Sequence, residues 1–224
     1  MKKLNMTLVT FLAAIVFIGC NDSNSLVAAD DNYEAISTQS IEDAIYSLPV
    51  STLTDTEEAG IIFMREEEKL ARDVYLYFYE KYGMRIFSNI ARSESTHMAA
   101  MKMLLDKYEL VDPIINDEIG VFQNENLAAL YVQLTEAGDV SLLEALKVGA
   151  TIEDLDIRDL MQFDDDVQSE DILLAYNNLT KGSRNHLRAF YSKVVQNGGT
   201  YEAQFITQEL FDYIVNSPKE RGSW

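Results

Sequence analysis

Phe87-Ser88-Asn89-Ile90-Ala91-Arg92-Ser93-Glu94-Ser95-Thr96-His97-Met98-Ala99-Ala100-Met101-Lys102-Met103-Leu104 is the stretch whose reading decides the fold. Taken in alternating steps of three and four, it yields Phe87, Ile90, Glu94, His97, Met101 and Leu104. That is the spacing at which a helix turns one stripe towards a core. The stripe is apolar at both ends and polar in the middle. A carboxylate in a core is costly unless it is paired or binds metal, so Glu94 and His97 call for partners on neighbouring elements.

Three further segments repeat the pattern. One carries Ile61, Met64, Glu68, Ala71, Tyr75 and Phe78; a second carries Leu146, Gly149, Glu153, Asp156, Leu160 and Phe163; a third carries Ile172, Tyr176, Leu179, Ser183, His186 and Phe190. Punctuation residues bound them as helices. Thr54 or Asp55 caps a helix from about Thr56 to Tyr82, closed by Gly83. The second helix runs from about Ile86 to Tyr108. Pro113 and Gly120 mark a long connection, which contains a short helix from about Asn126 to Glu136. Ser141 caps the third long helix, which reaches about Phe163 before Asp164-Asp165-Asp166. The fourth spans about Glu170 to Gln196. Short helices are expected at Ile41–Leu48 and Ile206–Val215. No strand-like alternation and no internal repeat interrupts this series. The fold class is therefore all-α, a four-helix bundle with one long crossover between its second and third helices.

Composition narrows the function. The 224 residues include 18 Lys+Arg against 37 Asp+Glu, a formal charge of −19. Nucleic-acid binding is excluded on that balance, since phosphate contacts need clustered Lys and Arg. With 47% apolar residues the chain can bury a real core. A single cysteine rules out an internal disulfide and a Cys-x-x-Cys metal knuckle.

The two histidines are the only ones in the chain, and both fall at mid-stripe. With Glu68, Glu94, Glu153 and Asp156 they make a set of four carboxylates and two imidazoles. Such ligands suit iron or manganese, with zinc possible. Glu94 and His97, three residues apart, share one helix face. Other readings stay open residue by residue. Glu66-Glu67-Glu68 can be a solvated face, Glu68 can pair with Arg72, and Glu153 and Asp156 can pair with Arg158 or Arg184. Glu67 also competes with Glu68, because it shares an apolar stripe with Phe63, Leu70, Val74 and Tyr77.

Glu68-Lys69-Leu70-Ala71-Arg72-Asp73-Val74-Tyr75 resembles the first-helix motif of rubrerythrins, Glu-x-x-Ala-Arg-x-x-Tyr. Ile90-Ala91-Arg92-Ser93-Glu94-Ser95-Thr96-His97 is similar to their second-helix motif, Ile-Ala-x-x-Glu-x-x-His. Glu153-Asp154-Leu155-Asp156 resembles the third-helix Glu-x-x-Glu, and His186 falls where the fourth helix carries its histidine. From about Ser51 to Val215 the chain is also similar to an uncharacterised bacterial family of ferritin-like domains, most clearly in residues 66–75 and 182–187. The resemblance implies a ferritin-like bundle, favours Glu68 over Glu67, and makes Glu68, Glu94, His97, Glu153, Asp156 and His186 the ligand set. Tyr75, on the same stripe as Glu68, would then be a donor to a ligand or an oxidisable residue; ordinary core packing is its other reading.

One departure stands out. Rubrerythrins carry a fourth-helix glutamate about one turn before the histidine, where this chain has Gly182 and Ser183. Asp171 is the nearest preceding acid, about 22 Å away along a helix. One ion or two is therefore open. The cysteines of a rubredoxin-like module are absent, so an external electron donor is needed. The resemblance implies action on peroxide or dioxygen; the other readings are a non-catalytic metal-binding protein and a surface interaction module. A homodimer is the assembly allowed for.

At the start of the chain, Lys2 and Lys3 precede an apolar run, Leu8 to Ile18, then Gly19 and Cys20. This is a secretory signal in form, too short for a comfortable membrane span. Its Phe17-Ile18-Gly19-Cys20 end resembles a bacterial lipoprotein signal, which implies lipidation of Cys20. The organisation expected is a signal over 1–19, a lipidated cysteine and tether over 20–50, the helical domain over 51–215 and a tail over 216–224. The location implied is the bacterial cell envelope, with the domain anchored to a membrane outside the cytoplasm.

Overall fold

The computed structural model describes residues 38–222. The signal, Cys20 and most of the expected tether lie outside the described residues. Among the described residues there are seven helices and no strand. They are α1 (Thr38–Ser47), α2 (Asp55–Tyr82), α3 (Arg85–Lys107), α4 (Glu125–Gly138), α5 (Leu142–Asp164), α6 (Glu170–Gln196) and α7 (Gln208–Asn216). None is long and apolar enough to cross a membrane. The four long helices are α2, α3, α5 and α6, and the long connection falls between α3 and α5, with α4 inside it. Ile41 and Ile45 of α1 are fully buried, so the helical body begins before residue 51.

Local chemistry sets the ends of these helices. The Thr54 side chain accepts from the Glu57 backbone N–H, while the Glu57 carboxylate accepts from the Thr54 N–H, a reciprocal capping box. Gly83 closes α2 in the left-handed region at φ 65°, donating its N–H to the Tyr79 carbonyl. Two residues then separate α2 from α3, which forces the pair to run antiparallel side by side. Asn124, Ser141 and Thr207 cap α4, α5 and α7 through their side chains.

The core divides into two apolar clusters above and below a polar waist. One is built around Val74, Phe78, Phe87, Leu187 and Phe190, the other around Ile61, Met64, Leu104, Leu160 and Leu179. Gly149 lets the Phe190 ring lie against α5; a Cβ there would come within 2.4 Å of it.

The sequence reading expects about four inward acids, yet many more are buried. Several lie on α2, where the crossover covers the helix's outer face. Glu66 accepts from the backbone N–H groups of Gln123 and Asn124, at 2.6 and 3.1 Å. Lys69 is fully buried; it pairs with Asp73, donates to the Glu118 carbonyl at 2.8 Å and lies over the Phe122 ring. Arg72 reaches Asp73 and Asp117 rather than Glu68. Asp154 similarly accepts from Tyr201 and from the backbone of Gln204 to Ile206. Asp171 is held by Lys107 and Tyr108. Glu66, Asp154 and Asp73, the last through the Gly120 N–H, thus satisfy backbone donors that would otherwise be left unpaired.

Glu57 joins two helix starts. Its Oε1 accepts from the N–H groups of Gln168 and Ser169, both at 3.0 Å, at the beginning of α6, where Ser169 provides no side-chain cap of its own. These donors overcome burial and lower its pKa from 4.5 to about 2. A depressed folded pKa gives stability that is complete above pH 4.5 and lost as pH falls towards 2. Glu57→Gln should cost about 2 kcal/mol near neutrality, and it should flatten the acid limb of a denaturation-against-pH profile in that window. An unchanged acid limb would remove Glu57 from this role.

Candidate metal centre

The polar waist lies where the four stripes meet. Every residue of the α2, α3 and α6 stripes is buried, and the α5 stripe is buried from Leu146 to Leu160, with Phe163 half-buried at its end. Five of the six expected ligands gather in two triads. Glu68, Glu94 and His97 form one; Glu94, Glu153 and His186 form the other. In each, one ligand atom per residue lies within 4.8 Å of the others.

Glu94 belongs to both. Its Oε2 is 2.7 Å from His97 Nδ1, and its Oε1 is 2.9 Å from His186 Nδ1. His97 Nδ1 also lies 3.1 Å from Glu68 Oε2, and His186 Nδ1 lies 3.4 Å from Glu153 Oε2. The two imidazoles stack at a centroid separation of 5.7 Å. Opposed in this way, each presents Nδ1 inward. The α3 turn from Glu94 to His97 provides that geometry from its i, i+3 spacing, and α6 delivers His186 from the facing helix.

Tyr75 stands behind the second triad. Its hydroxyl hydrogen-bonds Glu153 Oε1 and lies 3.4 Å from the Gly149 carbonyl, while its ring packs on Phe190 at 5.0 Å. It thus orients a carboxylate as well as packing the core. Asp156 is the expected ligand that joins neither triad. Its Oδ2 is taken by the Ser183 hydroxyl, and Ser183 is the residue standing in the region of the absent glutamate. The pairing with Arg158 or Arg184 weighed from sequence is not formed: Arg158 goes to Asp159 and Arg184 to Glu220.

Charge is the governing problem here. The carboxylates are 2–6% exposed, and their polar partners are imidazoles, a phenol and a hydroxyl. Burial pushes the Glu68 carboxyl up to about 7, with His97 opposing. Burial works against protonation of both histidines, yet the facing carboxylates hold their pKa well above the ordinary range. Glu94 is pulled below the usual carboxylate range by His186 and His97, despite its burial. Even so, Glu68 Oε1 and Asp156 Oδ1 have no hydrogen-bond partner. Buried acceptors without donors are costly, and a cation answers that cost directly. These Glu and His groups could hold a metal ion, and hard oxygen with imidazole donors suits iron, manganese or zinc.

The sequence reading treats Gly182 only as a missing acid. Its structural role is steric: a Cβ at this position would lie 2.6 Å from both Cε1 and Nε2 of His97. The absence of a side chain lets the imidazole lean on α6 while Nδ1 faces the carboxylates. Its signal in the sequence was a glycine at an inward helix position, where glycine is otherwise unfavourable. Gly182→Ala should displace the ring, shift the His97 imidazole resonances in nitrogen-detected spectra and cost about 1–3 kcal/mol. Unshifted resonances would show that the ring does not depend on this close approach.

Residues 57–218 match the family described as an uncharacterised protein domain, DUF2202. The uncharacterised protein MJ0754 of the archaeon Methanocaldococcus jannaschii is 53% identical over 178 residues, which cover 80% of this chain and 96% of the relative. A crystal structure of hypothetical protein MJ0754 from Methanococcus jannaschii superposes with a TM-score of 0.76 at 52% identity, covering 77% of this chain and 99% of the other. The matched span contains both triads, Asp156, Tyr75 and Gly182, and the chain belongs to the DUF2202 family.

Proposed function

We propose that this is a ferritin-like metal-binding protein whose centre takes two iron or manganese ions and acts on peroxide or dioxygen. The observation that carries the reading is the double role of Glu94, one carboxylate facing a histidine-carboxylate pair on either side. A shared carboxylate is how one buried site brings two cations close without repelling them apart. The unpartnered Oε1 of Glu68 adds support, because metal ligation satisfies it.

A pair of redox-active ions would supply the two electrons that convert hydrogen peroxide and two protons into two waters. The chain's own contribution is positional. Glu94 sets the spacing, Tyr75 holds Glu153, and the apolar clusters on either side exclude bulk water. His97 and His186 release their Nδ1 protons to the solvent as cations bind. Electrons for repeated turnover come from an external donor.

A second reading, one ion in a non-catalytic site, draws on Ser183 and its bond to Asp156. Metal content after anaerobic loading with iron(II) or manganese(II) separates the two. The expected result is two ions per chain, one lost in His97→Ala, one in His186→Ala and both in Glu94→Ala. Tyr75→Phe should weaken only the ion beside Glu153, by about tenfold. One ion per chain, inert to peroxide, would favour the second reading, and no bound metal would overturn both.

We also propose that Cys20 carries a lipid and anchors the domain to a membrane; the apolar run ending at the only cysteine supports this. Cys20→Ser should move the protein from the membrane to the soluble fraction of cells. Retention in the membrane fraction would refute the anchor.

A further inference from the structure

Helix α6 is weakest just before His186. Gly182 is a poor helix former, and paired Gly and Ser residues are places where helices kink. Thr180 and Ser183 add to this by donating back to the carbonyls of Tyr176 and Leu179, at 2.7 and 2.9 Å, a contact that bends helices. Yet the centre leans on this turn. His186 projects from it, the His97 ring lies against Gly182, and Ser183 donates to Asp156. A kink here would move all three.

The opposite face of the same turns is bound by the segment that follows α7. Lys181, Arg184, Asn185 and Arg188 form a stripe at i, i+3, i+4 and i+7, turned away from His186. All four bond to residues after α7. Lys181 donates to the Gly222 carbonyl at 3.2 Å. Arg184 grips the Glu220 carboxylate with two nitrogens, at 2.8 and 2.6 Å. Asn185 accepts from the Glu220 N–H at 2.9 Å and donates to its carbonyl at 3.1 Å. Arg188 reaches the Glu220 carboxylate at 3.1 Å and the Ser217 hydroxyl at 2.8 Å. Glu220 therefore touches three of the four. Fixing a terminal segment costs conformational entropy, which bidentate, charge-assisted bonds of this kind offset. The bound span, Lys181 to Arg188, is about two turns and brackets Gly182 and Ser183.

We propose that residues 217–222 are a splint that holds the Gly182–Ser183 turn of α6 straight, with Glu220 as the positioning residue for His186 and His97. The strap touches no ligand. It acts through Arg184, Asn185 and Arg188 on the α6 backbone, and so on the imidazoles at its inner face. What it does for a bound cation rests on the metal-centre reading above.

The first test uses the metal-free full chain with nitrogen-labelled histidine, whose two imidazoles report on both sides of the turn. Glu220→Ala should shift the His186 and His97 resonances, and Glu220→Gln, which keeps one acceptor oxygen, should shift them less. Glu57→Gln weakens α6 at its far end without touching the strap, and should leave both in place. Asn185→Ala, which removes both bonds to the Glu220 backbone, gives the same readout if Glu220→Ala does not fold. The second test is manganese(II) affinity, which should fall by about tenfold in Glu220→Ala and stay at the wild-type value in Glu57→Gln. Unshifted resonances would overturn the splint, as would equal shifts in Glu57→Gln or an affinity unchanged by Glu220→Ala. A wild-type chain that binds no manganese, with the resonance shifts as expected, would bring down the metal centre and leave the strap's hold on the histidines standing.

Discussion

Glu94 faces two imidazoles at once, and the rest of the bundle is arranged so that it can. Its two oxygens lie 2.7 and 2.9 Å from nitrogens on α3 and α6. That contact draws two helices to one level. Glu68 from α2 and Glu153 from α5 complete the ring, so all four long helices are registered at the same height. Apolar packing above and below would tolerate small slides along the helix axes. A charged waist in a low-dielectric interior would not, because each displaced carboxylate loses its partner at high cost.

The same constraint explains the residues around the centre. Gly182 is bare because the His97 ring needs the volume. Tyr75 is a tyrosine in an otherwise apolar cluster because Glu153 accepts its hydroxyl proton. Ser183 is small and polar because Asp156 requires a donor at that point. These are local answers to one excess of buried negative charge. Four carboxyl groups here face two imidazoles, and a metal ion could balance those that ionise.

Much of this was legible before any coordinates. The alternating three-and-four stripe turned out buried almost without exception, since a helix periodicity of 3.6 leaves little choice of inward face. Helix ends followed Thr54, Gly83 and Ser141 for equally local reasons. Glu67 was harder: it shares a plausible stripe with Leu70 and Val74, and adjacent residues on a helix differ by only 100° in direction. In the event both Glu67 and Glu68 are buried, and the difference lies in which helices they meet. Glu66, Asp73 and Asp154 carried no sign of burial, because their partners are backbone groups of segments far away in sequence.

The sequence by itself determined the all-helical class, the four inward stripes and the level at which their polar residues sit, because helix period and caps are properties of nearby residues. Only the tertiary structure decided which ligands share a triad, that Asp156 turns to Ser183, and that the crossover seals the outer face of α2. Those outcomes depend on distances between separate helices. No local spacing encodes such distances, and the balance of buried charge among all four helices selects them.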